Sequence, residues 1–178
     1  MKHTSTRHAI LQAARRVVRA GGAATLTLDA VAHEAGVSKG GLLYHFPSKD
    51  KLIAGMLEQM LASFDDDVRA AAEAPGQPPG AWARAYASIT CAPEWQSHDL
   101  SADLLAAVST NADLLEPVRA RYAEWQRLLE YDGIDPAIAT LVRLAADGLW
   151  FADMFGLAPP SGPLRAQVLE ALIALTQE

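Results

Sequence analysis

The chain has 178 residues, of which 51% are hydrophobic and 20% charged, with one cysteine. That length carries one or two domains, and that composition excludes a disordered chain. No apolar run exceeds five residues (Leu104 to Val108 is one), so no segment of the ~20 residues needed to span a bilayer exists.

The lone Cys91 excludes an internal disulfide and a cysteine-based zinc cage. The polar start Met1-Lys2-His3-Thr4 does not read as a secretory leader, and a cytoplasmic protein is expected. The net charge of −6 by itself argues against nucleic acid, but it is unevenly spread. Residues 1–51 hold eight basic and three acidic side chains, a net of +5; the other 127 hold seven basic and eighteen acidic ones, a net of −11. Such asymmetry points to one module facing a polyanion and another that does not, with chance clustering as the alternative.

In chain order, Ile10, Ala14, Val17 and Val18 mark a first helix, ended by Gly21-Gly22. Thr27 is an N-cap for a short helix with Leu28, Val31, Ala32 and Ala35 on one side, stopped by Gly36. Ser38 caps a third helix, Lys39 to about Phe46, which Pro47 ends. Ser48 opens a long helix from Lys49 to about Ala74, and Pro75-Gly76-Gln77-Pro78-Pro79-Gly80 is a loop. Further helices are expected over Ala81–Thr90, Leu100–Val108 and Leu114–Tyr131, with Pro93 separating the first two. Pro117 either starts the last of these or kinks it. Asp135-Pro136 starts a helix to Phe155, Gly156 stops it, and after Pro159-Pro160-Ser161-Gly162-Pro163 a final helix runs to about Thr176. No alternating stretch competes, so the class is all-α with about nine helices, divided into residues 1–51 and 52–178.

Thr27 to Phe46 has the spacing of a helix-turn-helix unit, whose second helix enters the major groove with its N-terminal residues at base edges. Thr27 and Ser38 can bring hydroxyls and free backbone N–H groups to phosphates. The stretch Ala35-Gly36-Val37-Ser38-Lys39-Gly40-Gly41-Leu42-Leu43-Tyr44-His45-Phe46-Pro47-Ser48-Lys49 resembles the DNA-binding signature of the tetracycline-repressor (TetR) family. The resemblance covers about a quarter of the chain. It implies a homodimeric transcriptional regulator, usually a repressor, released from DNA when a small effector enters the C-terminal domain. It also implies roles: Val37 and Phe46 in the core of the unit, and Lys39, Gly41 and Leu42 on the reading edge. Tyr44 and His45 would contact phosphates and bases, and Lys49 and Thr27 phosphates. Gly41 and Leu43 depart from the residue types frequent in that family. The two adjacent glycines cost the helix roughly 1 kcal/mol each relative to alanine, and Leu43 is expected in the core.

Other chemistry finds little support. There is no glycine-rich phosphate loop. His3 and His8 are too far apart on a helix for a metal, His33 and His45 read as surface or packing residues, and Cys91, with only His98 at hand, reads as a buried small residue. No enzyme activity, metal or cofactor is expected.

On Pro136–Phe155 the residues Ile138, Leu141, Ala145, Gly148, Ala152 and Phe155 follow a 3-4-3-4-3 spacing, and Leu164, Val168, Leu172 and Leu175 give the last helix a stripe. The resemblance implies that these two helices form the dimer interface; a purely intramolecular core is the alternative. All four tryptophans follow residue 80. An effector site is expected from Trp82, Trp95, Trp125, Asp147, Trp150 and Phe151, with plain core packing as the alternative for each aromatic ring and with Asp147 beside aromatic faces suited to a flat cation. An Arg143–Asp147 ion pair is the competing use of that carboxylate. The expected partners are therefore a near-palindromic double-stranded DNA operator, a small hydrophobic effector of the multidrug-efflux kind, and a second copy of the chain, with no membrane. The rival is a helical protein-interaction module that does not bind DNA.

Overall fold

The computed structural model describes residues 2–92, 95, 105 and 108–177, with side chains from residue 6 onward. Among them are eight α-helices, one 3-10 turn and no strand. The helices are α1 (Lys2–Gly21), α2 (Leu28–Ala35), α3 (Lys39–His45), α4 (Lys49–Ala72), α5 (Ala81–Thr90), α6 (Ala112–Glu130), α7 (Pro136–Phe155) and α8 (Gly162–Leu175). The 3-10 turn is Ala23–Thr25. Most of the expected helix Leu100–Val108, the separator Pro93 and His98 lie outside the described residues. Pro117 sits inside α6, where its missing N–H forfeits one backbone bond of that helix. No helix among the described residues is long and apolar enough to cross a membrane.

The chain forms two compact units, Met1–Leu61 with Asp99–Val118, and Ala62–His98 with Arg119–Glu178. A cut after residue 51 would divide α4, whose Leu52, Ile53, Met56, Leu57 and Leu61 belong to the first core.

In the first unit the apolar face of α1 is the floor. Ile10, Leu11, Ala13, Ala14 and Val18 are enclosed with Leu26, Val31, Leu42 and Phe46. Such side chains each contribute roughly 1.5–3 kcal/mol when fully buried, alanine less. Thr27 caps α2 by accepting from the Ala30 N–H at 3.1 Å. Gly36 closes α2 in the left-handed conformation, φ 65°, which a side chain adopts only with strain. Ser38 caps α3, accepting from the Gly41 N–H at 3.1 Å, and Ser48 accepts from the Lys51 N–H at 3.2 Å. The Arg7 guanidinium lies 5.4 Å from the centre of the Phe46 ring and bonds Glu58 at 2.9 Å, tying α1 to the end of the turn unit and to α4.

The second unit is built around Phe64, Val68, Tyr86, Trp95, Trp125, Leu129 and the inward face of α7, where Ala139, Val142 and Ala146 are fully enclosed. The start of α5 is held by Asp132, whose carboxylate accepts from the Trp82 and Ala83 N–H groups at 3.0 and 2.8 Å. Arg84 donates to the carbonyls of Pro78, Pro79 and Thr176. These bonds fasten the proline loop and the end of α8 to α5.

Candidate functional site

The surface of α3 sorts its seven residues sharply. Tyr44 is 74% exposed, Lys39 and Gly40 are exposed, and Leu42 is fully enclosed. Thr27 and Lys49 are also exposed. The Lys39 ammonium bonds the Asp29 carboxylate at 2.9 Å, and Tyr44 and His45 stack edge to face with ring centres 5.2 Å apart. Nothing lies within 4 Å of the position a Cβ would take on Gly40, so packing does not demand glycine there. Its bareness instead lets a backbone or base approach α3 closely. Thr27, Ser38, Lys39, Tyr44 and Lys49 thus belong to one small unit with polar groups at two helix starts. That arrangement suits phosphates beside a groove-inserted helix.

In the second unit Phe64 is the hub of an aromatic cluster. Its ring centre is 5.3 Å from Tyr86, 5.1 Å from Trp95 and 4.8 Å from Trp125. Both buried indoles donate to carboxylates, Trp95 to Asp67 at 3.2 Å and Trp125 to Asp65 at 3.1 Å. The Tyr86 hydroxyl donates to Asp147 at 2.6 Å, and Arg143 donates to the other Asp147 oxygen at 2.9 Å. Arg143 also reaches Gln126 at 2.8 Å and lies 5.9 Å from the Tyr122 ring centre. Burial pushes the Asp147 carboxyl above the usual carboxylate range, against the pull of Tyr86 and Arg143. Burial likewise pushes the Tyr122 phenol up to about 12 and the Tyr86 phenol further. Neither phenol ionises near neutral pH, so both serve there as donors and aromatic faces. Among the described residues no group of three or more His, Cys, Asp and Glu side chains could hold a metal ion.

Residues 10–56 match the profile of bacterial regulatory proteins of the tetR family, and residues 80–177 match that of the tetracyclin repressor-like C-terminal domain. The chain belongs to the TetR family. It is therefore a DNA-binding, helix-turn-helix transcriptional regulator and not an enzyme. Among solved structures, a transcriptional regulator from Rhodococcus sp. Rha1 is similar with TM-score 0.79 and 20% identity, over 96% of this chain and 95% of that one. A TetR-family member from Streptomyces coelicolor A3 gives 0.68 and 25%, over 96% and 98%. The multidrug-binding protein EbrR complexed with ethidium gives 0.66 and 28%, over 96% and 97%. No curated protein matches the chain.

Within this TetR fold the expected residues fall as follows. Leu42 is a correction. It was expected on the reading edge, but it is fully enclosed and anchors α3. Leu43, expected in the core, is only partly covered, as is Val37, while Phe46 is buried. Seven residues make barely two turns, too few for apolar spacing to fix which of two adjacent leucines points inward.

The structure brings Trp95, Trp125 and Asp147 together, joined through Phe64 and Tyr86. It does not bring Phe151 there: that ring is 45% exposed and lies 4.5 Å from Phe155. Trp82 is half-buried with the Arg69 guanidinium 5.3 Å from its ring centre, and Trp150 is half-buried. The Arg143–Asp147 pair weighed against a ligand role is formed. Phe64, Tyr86 and Tyr122 were missed, because a ring's membership of a cluster depends on helices far apart in sequence.

On α7 and α8 the open apolar stripe is Leu141, Leu144, Phe151, Phe155 and Leu164, each 39–58% exposed, with Gly148 exposed among them. Ile138, Ala145, Ala152 and Val168 are half-buried beside it. Leu172 is also a correction as an interface residue, since it is buried within its own protomer.

Proposed function

We propose that this regulator is a repressor that binds a near-palindromic operator as a homodimer and releases it when a small hydrophobic effector enters the C-terminal unit. The observation that carries the DNA side is the exposed set Lys39, Gly40 and Tyr44 on a helix anchored by the enclosed Leu42, flanked by Thr27 and Lys49. The basic balance of residues 1–51 supports it. The decisive experiment is Lys49→Ala. Loss of a phosphate contact weakens binding to every sequence and reduces the slope of log K against log salt by about 0.9 per protomer. An unchanged slope removes Lys49 from the interface.

For the effector, we favour a flat aromatic cation, with a role in controlling multidrug efflux. The support is a half-buried carboxylate, Asp147, next to a cluster of aromatic rings, together with the likeness to EbrR, which binds ethidium. A cation on aromatic faces gains about 0.5–2 kcal/mol. Asp147→Asn removes the carboxylate and leaves the rings, and is expected to weaken ethidium binding, followed by tryptophan quenching, several-fold or more. Equal affinity in both proteins excludes Asp147 from the site. A regulator that acts on operator DNA works in the cytoplasm.

A further inference from the structure

The Asp29–Lys39 pair is more than a surface ornament of the turn unit. Asp29 is in the first turn of α2, two residues past the Thr27 cap, and Lys39 is the first residue of α3. Their charged groups meet at 2.9–3.0 Å while both side chains stay largely open, 70% and 60% exposed. On the reading of α3 as the recognition helix, a carboxylate stands at the edge turned to DNA and pairs with the cation at the start of that helix. A fixed negative charge there opposes every phosphate-rich surface alike. At a matched site Lys39 exchanges that carboxylate for a pair of acceptors within reach of its ammonium. In the major groove, guanine offers one, with O6 and N7 side by side.

We propose that Asp29 is a specificity-determining residue: it holds the Lys39 ammonium in the free protein and on unrelated DNA, and yields it to guanine at the correct site. This inference rests on the reading of α3 as the recognition helix. Lys39 then adds little to non-specific affinity and contributes at the operator, so discrimination between sequences rises although total affinity falls.

The test compares two probes, a duplex selected by the wild-type protein from a random-sequence library and a scrambled duplex of the same length. On the scrambled duplex Asp29→Asn frees Lys39 for a phosphate. Affinity is expected to rise about two- to fivefold, the scale of an exposed ion pair, and the salt slope to steepen by about 0.9 per protomer. On the selected duplex, where the exchange has already occurred, the slope stays as it is and the affinity gain is smaller. Discrimination between the duplexes therefore falls. In Asp29→Asn/Lys39→Met the steepening on scrambled DNA disappears. Equal gains on both duplexes that persist in the double variant would show a general charge effect and overturn the proposal, as would weaker binding of Asp29→Asn to both. Wild-type protein that shows no salt-dependent binding to any duplex overturns the recognition-helix reading itself, a result plainly different from these. Unchanged circular dichroism melting of both variants shows that folding does not account for the differences.

Discussion

Gly80→Ala is expected to destabilise the C-terminal unit by about 2–5 kcal/mol. The backbone at Gly80 has φ 82°, and an added Cβ would lie 2.5 Å from the Thr176 carbonyl oxygen. The left-handed conformation alone costs an alanine roughly 1–2 kcal/mol, and forcing a methyl into a filled site costs typically about 1–3 kcal/mol more. The neighbour cannot swing aside, because it is backbone and the same oxygen accepts from Arg84. The Gly80 N–H also donates to the Asp132 carbonyl at 2.8 Å, so a shift of residue 80 disturbs the cap of α5. For a chain of this size the loss corresponds to a melting point lower by about 5–15 °C. Gly36→Ala is the control. It has a similar φ of 65° with nothing within 4 Å of the new Cβ, so only the conformational part is lost. Equal losses in the two variants would refute the clash at Gly80.

Phe151→Glu is expected to shift self-association by two or more orders of magnitude in the dimer dissociation constant, read by sedimentation. Leu141, Leu144, Gly148, Phe151 and Phe155 succeed one another at 3-4-3-4 spacing on the outward side of α7, with Leu164 of α8 also open. Contiguous apolar surface of this kind on a single protomer marks an interaction site. A symmetric helix-to-helix contact places each Phe151 against the same face of a second copy. A glutamate there would be desolvated without a partner, a penalty of about 3–5 kcal/mol. Ala166→Glu, exposed on the side of α8 opposite Leu164, is the comparison and leaves association unchanged. Wild-type protein that stays monomeric at micromolar concentration would defeat the homodimer reading.

The elements of this fold that are legible in the sequence are those written locally. Thr27, Ser38 and Asp135 accept from the N–H groups two or three residues on, and such caps need no knowledge of the rest of the chain. The length and rotation of the stripes are different. On α7 almost every side is apolar, so period alone admits several seams. One seam, Ala139, Val142 and Ala146, turns inward; another, from Leu141 to Phe155, turns outward. The spacing from Ile138 to Phe155 expected from the sequence shares Leu141, Gly148 and Phe155 with the outward seam and takes its other members from the half-buried residues beside it. Which seam is buried is decided by α5 and α8 packing on α7, a tertiary choice that no window of residues contains. Asp132 was invisible for a related reason: it caps a helix that begins 51 residues earlier.

The single anchor of α3 has an evolutionary consequence. Leu42 is the one fully enclosed side chain of that helix, and the caps come from residues outside it. Positions 39, 40 and 44 point away from the core, where substitutions usually change stability by less than about 0.5 kcal/mol. Sequence change at those three places is nearly free of any penalty in folding, while on the proposed reading of α3 it alters what meets DNA. A lineage of such proteins can acquire new operators without rebuilding the scaffold. A randomised library at 39, 40 and 44, with Leu42, Ser38 and Gly36 held fixed, is a short route to regulators with altered targets.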